Sequence, residues 1–326
     1  MKKIPPMFLL ASVACISVAC TVPSSNLPPL PEQGVMPTRP VKADTSWIKT
    51  QHLDVAYAKT SPSQKLDLYL PNEGAEPFPL IIEIHGGGFA LGKKSGNIAP
   101  MLEGLKRGYA VASIDYRLSG EAKFPAAIND VKAAIRFLRA NAAQYRLDSN
   151  RFATWGGSAG GNLSALAATS AGVAALTDPA LGHADVSDAV QAAVDWFGPL
   201  DFTTMDAQFA AQGTSGVMGL TSSPNSFESR YLGKTVGTPE AQPLAALANP
   251  ITHVGAKTPP MYIQHGAADR NVPITQSKQL AEKLVSTIGQ DKVVFETLDA
   301  GHGGPKFDAP ANAAKILDFL DKHLKR

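Results

Sequence analysis

Cysteine is nearly absent from this chain: there are two in 326 residues, Cys15 and Cys20, both within the first twenty. The region expected to fold therefore holds no disulfide and no Cys/His cluster for a metal, so a disulfide scaffold and a zinc site are both excluded. An excess of one charge is also lacking, with 30 Lys and Arg against 28 Asp and Glu. No basic footprint for nucleic acid exists, and partners are expected to be neutral or weakly charged. Internal repeats are missing, which argues against a solenoid or propeller. The apolar stretch at 7–19 is too short to span a bilayer.

That stretch reads instead as the core of an export signal, preceded by Lys2 and Lys3. Removing it takes the formal charge from +2 to zero. "SVAC" at 17–20 resembles a bacterial lipobox, in which Cys20 becomes the lipidated first residue; Ser17 stands where that pattern has leucine, and a plainly cleaved signal is the alternative. The segment 21–43 carries Pro23, Pro28, Pro29, Pro31, Pro37 and Pro40 without periodicity and is expected to be an extended tether. The organisation expected is a leader over 1–20, a tether over 21–43 and one large folded domain over 44–326. An exported protein anchored to the cell envelope by lipid follows (outer membrane in a Gram-negative cell), or a periplasmic or secreted one if the signal is simply cleaved.

Hydrophobic residues make up 44% of the chain, enough for a large core. "QHLDVAYA" and "QKLDLYLP" alternate around a turn at 60–63 and predict a hairpin. Strand and helix patterns then take turns. "PLIIEIHG", "YAVASIDYR", "RFATW", "VQAAVDWFG", "PMYIQHG" and "KVVFETLDA" read as strands. "NIAPMLEGLKRG" reads as a helix ended by Gly108. Ile128, Val131, Ile135 and Leu138 fall at helical spacing, and two amphipathic helices lie near the C-terminus. This order predicts an α/β fold: a mostly parallel sheet covered by helices on both faces, with the hairpin at one edge. The segment 201–249 is too long for a plain connection and reads as a cap-like insertion over the active face.

Glycine is concentrated at chemically telling points. "WGGSAGG" at 155–161 places Ser158 where a strand becomes a helix and matches G-x-S-x-G, the nucleophile elbow. A glycine-rich packing turn is the plainer explanation of that match alone. "HGGGF" at 85–89 follows the 79–84 strand and leaves backbone N–H groups bare. Gly87, Gly88 and Ala159 are the expected oxyanion donors, and His85 a structural support for the loop. A serine needs a base, and the base an orienting acid. Asp269 follows the strand ending at Gly266, and His302 follows the last strand in "LDAGHGG". The order Ser158, Asp269, His302 is that of the fold. Asp195 and Asp201 compete for the acid's place but more simply shape a strand end or the acyl side of the pocket. Phe202, Phe209, Met218 and Phe227 are expected to line one shallow pocket. Glu83, a carboxylate in a central strand, is expected to partner a nearby donor.

Taken together, "LDLYLP", "IHGGGF", "IDYRL", "FPAAINDVKAAIRFLRANA", "WGGSAGG", "DWFGPLD", "HGAADRNVP" and "GHGG" resemble the α/β-hydrolase superfamily. The resemblance runs from about Leu66 to the end. It lies with the carboxylesterases that include hormone-sensitive-lipase-like and feruloyl/acetyl-xylan esterase-like proteins. Only the tether and a hairpin precede "IHGGGF", without the helical N-terminal cap of the former group, which favours the latter branch. The resemblance implies a serine carboxylic-ester hydrolase without metal or organic cofactor, acting on short-chain acyl, acetyl or feruloyl esters, saccharide esters among them. An amidase, an aryl-formamidase or a peptidase would use the same residues, and a non-catalytic surface binding protein remains a rival of another class. Labelling with a palmitate analogue is expected to mark the wild-type protein and not Cys20→Ala; equal labelling of the two would remove the anchor.

Overall fold

The computed structural model describes Met1 and residues 43–325. The expected leader beyond Met1, with Cys20, and the tether up to residue 42 lie outside them. Eight strands form one sheet: Thr50–Ala56 (β1), Lys65–Leu70 (β2), Phe78–Ile84 (β3), Ala110–Ile114 (β4), Leu147–Gly157 (β5), Ala192–Trp196 (β6), Met261–Gly266 (β7) and Val293–Leu298 (β8). Their spatial order is β1-β2-β4-β3-β5-β6-β7-β8. The β1–β2 and β2–β4 pairs are antiparallel, and every later pair is parallel. The expected mostly parallel sheet with an antiparallel edge hairpin is what forms.

The helices are Ala99–Leu102 (α1), Ala126–Ala140 (α2), Ala159–Thr169 (α3), Met205–Ala211 (α4), Phe227–Leu232 (α5), Gln242–Ala248 (α6), Thr275–Ile288 (α7), Pro305–Asp308 (α8) and Pro310–Leu324 (α9). None is long and apolar enough to cross a membrane among the described residues. Strand alternation sorts the core into two layers. Leu80, Ile82 and Ile84 pack with Ile128, Val131, Ile135 and Leu138 of α2, with α3 and with Leu280 and Leu284 of α7. Ile81, Val111, Trp155 and Trp196 pack on the other side with α1 and with Ile316, Leu317 and Leu320 of α9. Each such aliphatic side chain contributes about 1.5–3 kcal/mol when fully buried.

The single helix predicted at 97–108 is instead α1 followed by a 3₁₀ stretch, Glu103–Arg107. Gly104 lies so close to β3 that a Cβ there would come within 2.9 Å of Ile81 Cδ1. Gly108 ends the run at φ 77°.

The chain leaves β3 for β4 on one side and returns through α2 to β5 on the other. That reversal opens a crevice at the carboxyl ends of β3 and β5, where open α/β sheets bind ligands. Both glycine motifs emerge there.

Glu83, on β3, lies level with Ser113 of β4 and Trp155 of β5 and accepts a short hydrogen bond from the Ser113 hydroxyl. Burial pushes its pKa from 4.5 to about 8; the Ser113 bond offsets this in part, and the Asp115 charge adds to it. Between those values the native protein holds a proton that the unfolded chain has released, so this group makes stability fall as pH rises. Glu83→Gln keeps an acceptor for Ser113 and has no proton to lose. Between pH 5 and pH 8 the variant should lose less stability than wild type in urea melts, by about 1 kcal/mol or more; parallel pH profiles would refute the burial of an ionisable group here.

Candidate active site

Ser158 sits between β5 and α3 at φ 57°, ψ −125°, a conformation that L-residues rarely adopt. Its amide donates to Trp196 O (2.8 Å), and its carbonyl accepts from Asn162 N (3.1 Å) to begin α3. The flanking glycines are there for space. A Cβ on Gly156 would lie 2.2 Å from Gly160 O, and one on Gly160 would lie 2.0 Å from Ile84 O. Gly161 is equally confined, 2.4 Å from Asp195 Oδ1 on the same test. Backbone thus packs on backbone, and the serine stands at the crevice.

The loop after β3 lies against this turn. A Cβ on Gly86 would approach Gly157 O to 2.7 Å and Ser158 Cβ to 3.3 Å. Gly87 and Gly88 have φ of 118° and 59°, within reach of glycine. The N–H groups of Gly87, Gly88 and Ala159 donate to no acceptor among the hydrogen bonds of the described residues. His85 underpins this loop. Its Nδ1 lies 2.8 Å from Gly86 O, an acceptor, so Nδ1 carries the proton, and its ring stacks on Tyr116 at 4.3 Å. Burial lowers its pKa to about 4, partly countered by the Gly86 bond, so the ring is neutral at pH 7.

Gly266 allows the β7 end to meet the loop after β8: a Cβ there would be 2.1 Å from Gly301 O. The close approach brings Asp269 and His302 together. Asp269 Oδ2 is 2.7 Å from His302 Nδ1, and His302 Nε2 is 2.9 Å from Ser158 Oγ. The carboxylate accepts at Nδ1, so Nδ1 bears the proton and Nε2 can accept from the serine hydroxyl. Asp269 Oδ1 accepts from the amides of Asn271 (2.8 Å) and Val272 (2.9 Å). Burial alone would raise the Asp269 pKa. Its interactions with His302 and His265 outweigh it and hold the carboxyl well below the usual carboxylate range.

The two competing acids do other work. Asp195 is fully buried and its Oδ1 accepts from Gly198 N (2.9 Å), fixing the turn after β6. Burial raises its pKa to about 6, with the Gly198 bond and, less, the nearby His265 pulling the other way. Asp201 accepts from Thr203 N and Oγ1 within its own turn.

Of the expected pocket residues, Phe227 lies over the glycines of the oxyanion loop: a Cβ on Gly88 would lie 2.5 Å from its ring. Phe202 is buried against Phe89 and Tyr231, and Phe209 is buried beside Gly216, so both are core rather than wall. Met218 is half-buried. Sequence reasoning missed Phe197, whose ring lies 4.6 Å from His302 and against Gly157 and Gly303. Its φ of 43° in "DWFG" is strained for a side chain of that size. His265 and Ser277 were also missed. Among the described residues no group of three or more His, Cys, Asp or Glu side chains is arranged to hold a metal ion.

Strand order, elbow and loop placement define an α/β-hydrolase. The BD-FAE family model matches residues 66–284. The chain belongs to the BD-FAE family. It is 31% identical over 252 residues to a probable carboxylic ester hydrolase, LipM, of Mycobacterium tuberculosis, covering 75% of this chain and 54% of the relative. It is 31% identical over 306 residues to esterase LipQ of the same organism, covering 90% and 65%. The chain thus spans less than two thirds of the length of these relatives. Among solved structures it is similar to a bifunctional GH43-CE protein of Bacteroides eggerthii, at 34% identity and a TM-score of 0.72 over 84% of this chain and 35% of that one. It is also similar to a truncated carbohydrate esterase from gut microbiota, at 30% identity and a TM-score of 0.73 over 89% and 100%.

Proposed function

We propose that this protein hydrolyses carboxylic esters through a Ser158–His302–Asp269 triad and a covalent acyl-enzyme. The observation that carries this reading is the continuous chain from Ser158 Oγ to His302 to Asp269, beside the free amides of Gly87, Gly88 and Ala159. Ser158 Oγ attacks the ester carbonyl while His302 Nε2 takes its proton. The carbonyl π electrons move onto oxygen, and the resulting oxyanion accepts from the three amides, with the α3 N-terminus adding favourable potential. Asp269 holds the imidazolium it faces. The tetrahedral intermediate collapses, His302 protonates the departing alcohol, and the acyl group stays on Ser158. His302 then deprotonates a water that attacks the acyl carbonyl. The acid leaves as the proton returns to Ser158 Oγ.

The substrate class proposed is short-chain acyl or flat aryl acyl esters, saccharide esters included. One structural neighbour is described as a carbohydrate esterase, which supports the saccharide. The insertion supports a short acyl group. Its helices α4, α5 and α6 have seven, six and seven residues, and Phe202 and Phe209 are spent in the core. Phe227 over Gly88 and Phe197 beside His302 are the aromatic walls that remain. Each methylene gains about 0.8 kcal/mol only where a cavity buries it.

Ser158→Ala should keep its melting profile and lose turnover by about 10⁵-fold or more, since the members of such a unit act together; wild-type rates from that variant would end the assignment. On p-nitrophenyl esters from acetate to palmitate, kcat/KM should peak between acetate and butyrate. A maximum at C12 or longer would mean a deep acyl tunnel and contradict this reading.

A further inference from the structure

Asp269 Oδ2 faces two histidines. One is His302, at 2.7 Å; the other is His265, the penultimate residue of β7, whose Nε2 lies 3.3 Å away. The catalytic reading uses only the first. His265 is fully buried, as is Ser277 in the first turn of α7.

The surroundings of His265 decide its tautomer. Nε2 is hydrogen-bonded to Val272 O at 3.0 Å, an acceptor, so Nε2 carries a proton, and the Asp269 carboxylate lies beside that N–H, 3.3 Å from Nε2. Nδ1 is 2.7 Å from Ser277 Oγ. In the singly protonated ring Nδ1 is the acceptor, and the Ser277 hydroxyl donates to it. Ser277 thereby keeps the Nε2 proton aimed at the turn that holds the acid. Val272 binds at both ends of this arrangement: its N–H donates to Asp269 Oδ1 and its carbonyl accepts from His265.

We propose that His265, keyed by Ser277, is a positioning residue for Asp269: it shares Oδ2 with His302 and so sets both the orientation of the carboxylate and the charge it presents to the catalytic imidazole. The proposal rests on the triad reading above. Two amides fix Oδ1, whereas Oδ2 is bonded by His302, the group that moves its proton in the proposed mechanism, and has the His265 Nε2–H as a second, longer contact at 3.3 Å. A donor on Oδ2 also draws off part of the negative charge. Charged groups facing His265 are Asp269, on the turn after β7, and Asp195 of β6, which interacts with it electrostatically. On the other side of Asp269 stands His302, backed by the Phe197 ring.

The sign of the effect follows. Loss of the His265 donor leaves Oδ2 more negative, which favours the protonated form of His302 over the neutral form that acts as base. The acid limb of the kcat/KM profile should therefore move to higher pH. His265→Phe keeps a ring of similar volume without donors, and His265→Gln returns an N–H near the Nε2 position. On p-nitrophenyl acetate His265→Phe is expected to lower kcat by about tenfold, with little change in KM. Its acid limb should rise by about half a pH unit, and His265→Gln should restore most of both. Should His265→Phe fail to fold, Ser277→Ala, which only frees the tautomer, should move the acid limb the same way by less. A folded His265→Phe with the wild-type acid limb and kcat overturns the proposal. So does a His265→Gln as impaired as His265→Phe, or an unmoved acid limb in Ser277→Ala. Ser158→Ala, run in parallel, separates the two readings: if it is inactive while the His265 and Ser277 variants titrate as wild type, the positioning role alone falls. If Ser158→Ala is active, the triad falls and the positioning role with it.

Discussion

Close approach of backbone to backbone at the carboxyl edge of the sheet is the constraint on which the site depends. Gly156 and Gly160 let the start of α3 sit on Ile84 O; Gly86 lets the next loop touch the same turn; Gly266 lets the β7 end reach Gly301. A Cβ at any of these positions would lie within 2.0 to 2.7 Å of a backbone oxygen, a separation that needs movement of the main chain rather than of a side chain. The strain of Ser158 at φ 57° is held by this packing and by the hydrogen bond to Trp196 O. Local strain of this kind persists when the surrounding structure over-determines it.

Three buried carboxylates show how the same constraint sorts electrostatics. Asp269 lies where turn amides and two histidines converge on it, and it stays ionised. Asp195 receives one amide bond and its pKa rises to about 6. Glu83 receives one hydroxyl bond and its pKa rises to about 8. Burial penalises the charge in all three, and the donors decide the outcome. The acid that can support an imidazolium is the one set at a turn, where amides are unpaired; a carboxylate inside the strand ladder finds its backbone donors already used.

This explains how far the sequence could be read. Glycine requirements are local, so "WGGSAGG" and "HGGGF" announce the turn and the loop on their own, and the chain order of Asp269 and His302 supplies the rest. The sheet is legible because strand and helix periods differ. His265 was not legible: it reads as one more residue of a buried strand, and its meaning comes from Ser277 and Val272, which only the packing of α7 on β7 brings near. Phe197 was hidden for the same reason. Phe202 and Phe209 misled because they are buried in anchoring the insertion to the domain, Phe202 against Phe89 and Tyr231, which sequence spacing does not show.

That anchoring ties the insertion to the chemistry. Asn162, one turn into α3 from Ser158, donates through Nδ2 to Pro199 O, just before the insertion, and to Ala248 O, near its end. Gln276 of α7 accepts from the amides of Leu200 and Asp201 and donates to Asp201 O, Thr204 Oγ1 and Gln208. The middle of the segment is fixed from the other side: Val217 N donates to Arg270 O, and the Arg270 guanidinium donates to Ser215 O. Arg270 follows Asp269 directly. The insertion and the turn after β7 are therefore one bonded unit, with α3 and α7 as its two supports. Under the proposed mechanism, a substitution in the anchored parts of the insertion would also act on the turn that carries Asp269.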